Sequence, residues 1–143
     1  MAMASPSGAW ISAEQAQSTP LSNLVFTNRI DSVRALLDLG ARVDEADDDG
    51  ITLIAWTAIT NQVDIARLLI QRGANVNHVD KKGMTPLLYA ASIDFGDSQM
   101  IDLLLKAGAD RQARTKDGLT AFDLARMYKH THLIPALSNA GKS

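Results

Sequence analysis

The chain has 143 residues, of which 46% are hydrophobic and 21% charged, and this composition is typical of one folded domain rather than a disordered polypeptide. Its formal net charge of −2 does not supply the positive field on which nucleic-acid binding or binding to acidic membranes usually depends. The absence of cysteine excludes disulfides, thiolate catalysis and thiolate zinc sites, and we predict no cofactor.

The amino-terminal residues 1–13 are predicted to be a flexible leader, an N-terminal cap or a cloning remnant. They lack the basic and apolar regions of a signal peptide, and no apolar run in the chain approaches the roughly 18 residues of a membrane span. We therefore expect no membrane association, and a cytoplasmic location is only a default. Ser12 to Gln15 match a capping box, which predicts a short helix with Trp10 and Ile11 folded over the first face of the domain.

Three series of residues recur along the rest of the chain with a common period. Each series steps by 33 or 35 residues, and the two glycine series place the same two-residue insertion between Gly83 and Gly108. Independent series that share one period and one insertion indicate an internal repeat. The series are Thr19, Thr52, Thr85 and Thr120; Gly50, Gly83 and Gly118; and Gly40, Gly73, Gly108 and Gly141.

Each period reads Asp-x-x-Gly-x-Thr-Pro-Leu, then a pair of small residues, then an apolar run ending in Gly-Ala-Asp/Asn-Val-Asn, most clearly at residues 80–91 and 68–77. This pattern resembles the ankyrin repeat over about residues 14 to 141. The resemblance implies an all-α solenoid of stacked helix-turn-helix units with finger-like hairpin loops. We place the repeats at 14–46, 47–79, 80–114 and 115–141, followed by a tail at 142–143.

Local physical chemistry predicts the same elements. Threonine at the N-cap and proline at the first helical position start a helix, and Gly40, Gly73 and Gly108 fit left-handed helix C-caps. Because no unit can bury its apolar face alone, neighbours must stack, with fingers and first helices on a concave side. The buried stripes of the second helices are Val33, Leu36 and Leu37; Ile65, Leu68 and Leu69; and Ile101, Leu104 and Leu105.

The fourth repeat departs from the pattern. Ala121 replaces the motif proline, Asp123 replaces the family's histidine, and Pro135 is tolerable only if the second helix begins near Thr131. That histidine is replaced in the other repeats too, which puts the hydrogen bonds it makes between repeats in question. In repeat three, the insertion around residues 93–96 is expected to lengthen the turn between the two helices.

No arrangement of residues indicates catalysis, and we do not expect an enzyme. Residues 45–50 resemble the start of a calcium loop, but Trp56 falls at the twelfth position, where a glutamate is required. His130 and His132 lack the spacing of a helical zinc pair, so surface histidines are the preferred interpretation. A small enzyme or metal site around His130, His132 and Asp123 is kept as the least favoured alternative.

An apolar and aromatic strip is predicted along the concave side. Contiguous apolar surface of this kind marks partner-binding sites. Trp56, Tyr89 and Leu124 can equally be partly core, whereas Ile51, Met84 and Leu119 are harder to explain by packing. The strip comprises Phe26, Ile51, Trp56, Ile59, Met84, Tyr89, Ile93, Leu119, Leu124, Met127 and Tyr128.

Charge changes sign along the fingers. Asp48 and Asp49 give way to Lys81 and Lys82 and then to Arg114 and Lys116. Such a gradient can orient a partner of opposite polarity, or the charges can simply keep the loops solvated.

The predicted function is non-catalytic binding of an unidentified protein or peptide on the concave face. The alternative is a structural or self-assembly module, or a regulatory fragment of a larger protein, because a scaffold of this kind hosts many unrelated interactions.

Overall fold

The computed structural model describes residues 3–4, 10–11, 25 and 27–138. Near the amino terminus, strands β1 (Met3–Ala4) and β2 (Trp10–Ile11) pair antiparallel, with Met3 opposite Ile11. The backbone at Trp10 and Ile11 is therefore extended. The predicted helix at residues 12–15 lies outside the described residues, as do Thr19, Phe26 and Gly141.

Between residues 30 and 138 the described chain alternates helices with finger-like turns, as the repeat pattern predicts. Its helices are α1 (Ile30–Asp38), α2 (Leu53–Thr60), α3 (Val63–Gln71), α4 (Pro86–Ser92), α5 (Gln99–Lys106), α6 (Ala121–Met127) and α7 (Ile134–Ser138), with a 3-10 turn at Thr131–Leu133. Among the described residues, no helix is long and apolar enough to cross a membrane.

The helices pack in two layers. In the inner layer α4 lies between α2 and α6, and in the outer layer α3 contacts α1 and α5, while α5 contacts α7. The pairs α2 with α3, α4 with α5 and α6 with α7 join the layers within repeats two, three and four. This arrangement confirms a helical repeat solenoid, in which each unit buries its apolar face against its neighbours.

The core lies between the layers and follows the predicted stripes. Of those nine residues, seven are buried, and Leu36 and Leu105 are partly buried against the same core. The inner helices are buried on more sides, and Ala58, Ala90 and Ala91 allow them to approach closely. The apolar stripes of the outer helices therefore hold the two layers together, and the alanines allow close packing within the inner layer.

The predicted helix ends are confirmed at the residues that the structure describes. Gly40, Gly73 and Gly108 have φ values of +99°, +87° and +98°, in the left-handed region that favours glycine. In repeat four the 3-10 turn begins at Thr131 and Pro135 is the second residue of α7, so its missing N–H lies in the first helical turn. The link between α4 and α5 spans residues 93–98 and contains the predicted insertion.

Three described fingers share one hairpin pattern: finger two (residues 46–52), finger three (79–85) and finger four (114–120). In finger three, Asp80 N donates to Met84 O at 3.0 Å and Gly83 N donates to Asp80 O at 3.0 Å. The equivalent bonds close the other two fingers. Adjacent fingers lie close, since a Cβ added at Gly83 would be 2.8 Å from Lys116 Cγ.

Candidate partner-binding surface

Each finger begins with a side chain that accepts hydrogen bonds from the backbone of its own turn. Asp47 Oδ1 accepts from the amides of Asp49 and Ile51 at 2.9 and 3.0 Å. Asp80 Oδ1 accepts in the same way from Lys82 and Met84, at 2.9 and 3.0 Å. In finger four the hydroxyl of Thr115 takes this position, accepting from the amides of residues 117 and 119 at 3.2 Å each. The aspartates thus stabilise the fingers with one oxygen and leave the other for a different partner.

The second oxygen of each aspartate binds an aromatic residue of the inner helix. Trp56 Nε1 donates to Asp47 Oδ2 at 3.0 Å, and the Tyr89 hydroxyl donates to Asp80 Oδ2. Burial, together with this hydrogen bond and the charge of Asp80, raises the pKa of the Tyr89 phenol above its ordinary value of 10.0. Both rings are partly buried and pack against the core, so they are structural residues that also keep some exposed surface.

Two residues of the predicted strip belong to the core instead, which corrects the sequence-based assignment. Ile51 is 4% exposed and lies next to Thr52, which pairs with Ala46 where finger two closes. Leu124, at the position that corresponds to Trp56 and Tyr89, is 5% exposed and packs in the main core cluster. Neither can offer a partner appreciable surface.

The other described strip residues range from partly buried to exposed. Met84 and Leu119 are partly buried and pack against the core, so packing accounts for them better than the sequence suggested. Met127 and Tyr128 are 53% and 51% exposed, at the end of α6. We define the inner face by the residues that keep exposed surface: Trp56, Ile59, Met84, Tyr89, Ile93, Leu119, Met127 and Tyr128.

The C-terminal histidines connect repeat four to repeat three. His130 Nδ1 lies 3.0 Å from Ala91 O, and His132 Nε2 lies 3.1 Å from Asp94 Oδ1 in the inserted link. The Tyr128 ring stacks on His130 at a centroid distance of 5.9 Å. His130 is therefore partly buried between repeats and not simply a surface residue, and sequence spacing carried no signal for these contacts.

Asp123 does not join the histidines, which counts against the predicted alternative site. It lies in the first turn of α6, where it forms a capping box with Thr120, whereas the histidines follow the end of that helix. Hydrogen bonds from the backbone and side chain of Thr120 lower the pKa of the Asp123 carboxyl. Within the part of the chain that the structure describes, no group of three His, Asp or Glu side chains is placed to hold a metal ion.

The predicted finger charges are all exposed, but two of the lysines also join adjacent fingers. Lys81 Nζ donates to Asp48 O at 2.5 Å, and Lys116 Nζ donates to Lys81 O at 2.8 Å. The backbone amide of Lys81 also donates to Asp49 O at 3.0 Å, whereas Lys82 stays at the exposed tip. The sequence signal for these bridges is the common position of Lys81 and Lys116, each directly after the first acceptor of its finger.

Comparison with known protein families agrees with this architecture. A family model described as ankyrin repeats, in three copies, matches residues 21–115. The match contains one repeat fewer than the sequence analysis predicted, and helices α6 and α7 of the fourth unit lie beyond it, packed on α4 and α5. No match to the chain was found among curated proteins. The matched segment covers more than half of the 143 residues, and the chain belongs to the ankyrin-repeat family.

Proposed function

We propose that this chain is a non-catalytic interaction module that binds a protein or peptide on its inner face. Ankyrin repeats are generally protein–protein interaction modules. The observation that carries the assignment to this face is the exposure of Met127 and Tyr128, two large apolar side chains adjacent in sequence at the end of an inner-layer helix. Exposed apolar surface that continues into partly exposed neighbours is typical of interaction sites.

The rest of the inner face supports this proposal. Trp56 and Tyr89 bring rigid rings with low conformational entropy, which is the kind of side chain that dominates binding energy at interfaces. Met84 in finger three and Leu119 in finger four add flexible and branched apolar surface that is partly exposed. The finger charges form a rim that affects the association rate and orientation of a partner more than its affinity.

The test compares three versions of the chain in capture from the lysate of the source organism, with the bound proteins quantified by mass spectrometry. The first is the wild type and the second carries Met127→Ala with Tyr128→Ala. The third carries Leu39→Ala, which truncates a side chain that is 83% exposed next to α1 in the outer layer. We expect the wild type and the Leu39 variant to retain the same partner, and the inner-face variant to bind it about 2 kcal/mol more weakly.

Trp56 and Tyr89 are left unchanged because their polar atoms bond to the fingers, and truncating them would also disturb the fold. Alanine is therefore placed at Met127 and Tyr128. The far-ultraviolet spectrum of each variant checks that folding is unchanged. Equal capture by all three chains would contradict the proposal. A molar mass that rises with concentration in light scattering, and stops rising in the inner-face variant, would support self-assembly instead.

A further inference from the structure

We infer that Asp47 and Asp80 are positioning residues of the inner face, and that each holds the aromatic ring nine residues later in a single orientation. The inference concerns the free chain, and it rests on the proposed function only for the use that a partner makes of the two rings. Its basis is the repetition of one set of hydrogen bonds in two consecutive repeats.

Each carboxylate is anchored before it contacts the ring. Asp47 Oδ1 accepts from two backbone amides of finger two, and Asp80 Oδ1 does the same in finger three. Both bonds end on Oδ1, and the side chain is short and attached at Cα, so together they restrict the direction of the remaining oxygen. A donor bound to that oxygen is then restrained to one side-chain conformation.

Burial adds to the strength of this restraint in repeat three. Asp80 is 7% exposed, and it forms no ion pair within 4.0 Å among the described residues. Two backbone amides and the Tyr89 hydroxyl donate to its carboxylate. Hydrogen bonds to a buried charged acceptor are stronger than neutral ones, and losing one leaves the acceptor with a desolvation cost.

The same bonds decide what the rings can offer a partner. The indole N–H of Trp56 and the hydroxyl of Tyr89 donate within their own repeats, so the remaining accessible surface of each side chain is mainly ring face and edge. We expect the segment that contacts Trp56 and Tyr89 to present apolar side chains rather than hydrogen-bond acceptors. Rings that are held before binding also lose less entropy when the partner docks.

Repeat four is the natural comparison within the molecule. Thr115 holds its finger through one hydroxyl oxygen, which leaves no second acceptor, and Leu124 at the position of the ring has no polar atom to donate. The exposed ring of this repeat, Tyr128, stacks on His130 and is not held by the finger. Positioning by a finger carboxylate is therefore a property of repeats two and three among the described units.

The experiment follows the indole N–H of Trp56 by NMR in a Trp10→Phe chain, which leaves Trp56 as the only tryptophan. Asp47→Asn keeps Oδ1 for the finger amides and places an NH₂ donor where Oδ2 accepted, so the bond to Trp56 is lost while the turn can be retained. We expect the indole proton to exchange with solvent about 10 to 100 times faster in this variant. This factor corresponds to the free energy of one hydrogen bond to a charged acceptor.

Asp48→Asn is the matched control, because it removes the same charge from the adjacent, exposed position. Lys81 bonds to the backbone carbonyl of Asp48 and not to its side chain, so the substitution leaves that bond in place. We expect no change in the Trp56 indole exchange. Equal acceleration by the two variants would overturn the inference, since it would assign the effect to charge alone. Unchanged exchange in Asp47→Asn would overturn it as well.

A second measurement applies if Asp47→Asn does not fold. In the folded Trp10→Phe chain, the Trp56 indole should exchange about tenfold or more slowly than that of N-acetyltryptophanamide, and an equal rate would overturn the inference. These measurements use the chain without a partner. If the Trp56 indole proton exchanges slowly but the inner face binds no partner, only the proposed function is contradicted. If a partner binds but the indole proton exchanges as fast as in the free amino-acid derivative, only the positioning of the ring is contradicted.

Discussion

Repeats two and three bind an aromatic ring of the inner helix to their own finger, whereas repeat four makes no such bond. Asp80 and Thr115 accept equivalent backbone hydrogen bonds, but only the carboxylate has an oxygen left for a residue nine positions later. Repeat four instead stabilises the start of α6 with the capping box of Thr120 and Asp123. The comparison shows that the same hairpin backbone can occur with an aromatic ring bonded to the finger, as in repeats two and three. It can also occur without such a bond, as in repeat four.

The largest expected difference is between Asp80→Ala and Thr115→Ala. Removing the Asp80 carboxylate leaves two finger amides and the Tyr89 hydroxyl without their acceptor, and should lower the free energy of unfolding by about 2–4 kcal/mol. Removing the Thr115 hydroxyl affects two amides whose bonds are longer, at 3.2 Å each, and should cost less than about 1 kcal/mol. Urea unfolding of the two variants measures the difference, and equal losses would contradict the special role of the carboxylate.

A smaller difference is expected between Gly83→Ala and Gly118→Ala. Both glycines have positive φ, +80° and +83°, but only at Gly83 does an added Cβ meet a neighbouring finger, at 2.8 Å from Lys116 Cγ. We expect a loss of about 2 kcal/mol for Gly83→Ala and about 1 kcal/mol for Gly118→Ala. Thermal unfolding of Gly83→Ala with Lys116→Ala checks the cause, because the extra loss should disappear when the lysine side chain is removed.

Tyr89→Phe isolates the ring bond in repeat three. At neutral pH the variant should be less stable by about 1.5 kcal/mol, because the Asp80 oxygen loses its donor in a buried position. The pKa of Tyr89 is raised in the folded chain, so the stability that this phenol contributes is complete below pH 10.0 and is lost as the pH rises above it.

Unfolding free energies of the wild type and of Tyr89→Phe should therefore converge as the pH is raised above 10.0. Two curves that stay parallel over that range would contradict the bond between Tyr89 and Asp80.

The smallest expected effects concern the threonine N-caps of the inner helices. Thr120 accepts from Asp123 N at 3.2 Å, whereas the hydroxyl oxygen of Thr52 is buried without a hydrogen-bond partner among the described residues. Thr120→Val should cost about 1 kcal/mol, and Thr52→Val should stay within about 0.5 kcal/mol of the wild type. Chemical unfolding distinguishes the two, and a larger loss at Thr52 would show that its hydroxyl is bonded in solution.

Local features of the fold could be predicted because the sequence encodes them locally. The apolar spacing of α3 and α5 predicts their buried stripes, and Gly73 predicts the left-handed end of α3. The hydrogen bonds that Trp56 donates to Asp47 and Tyr89 donates to Asp80 could not be predicted, because they connect a helix to a finger. Their only sequence signal is an aspartate and an aromatic residue in the same register of two repeats.

The candidate surface was harder to predict than the helices. A position in the repeat places Ile51 in a finger and Leu124 on an inner helix, but it does not say that both side chains are buried, at 4% and 5% exposed. The same limit applies to Lys81 and Lys116. Their charges can be read from the sequence, but their hydrogen bonds to the preceding finger cannot. The exposed pair Met127 and Tyr128 is the part of the predicted strip that keeps the most surface.

The sequence by itself determined the repeat period, the order of helices and fingers, and the all-helical solenoid, because each depends on residue spacing and on caps within one repeat. Only the tertiary structure decided which apolar residues stay exposed and which polar atoms are already bound. Exposure and long-range hydrogen bonds depend on how fingers close over helices and how neighbouring repeats stack, and those distances are set by the packing of the whole array.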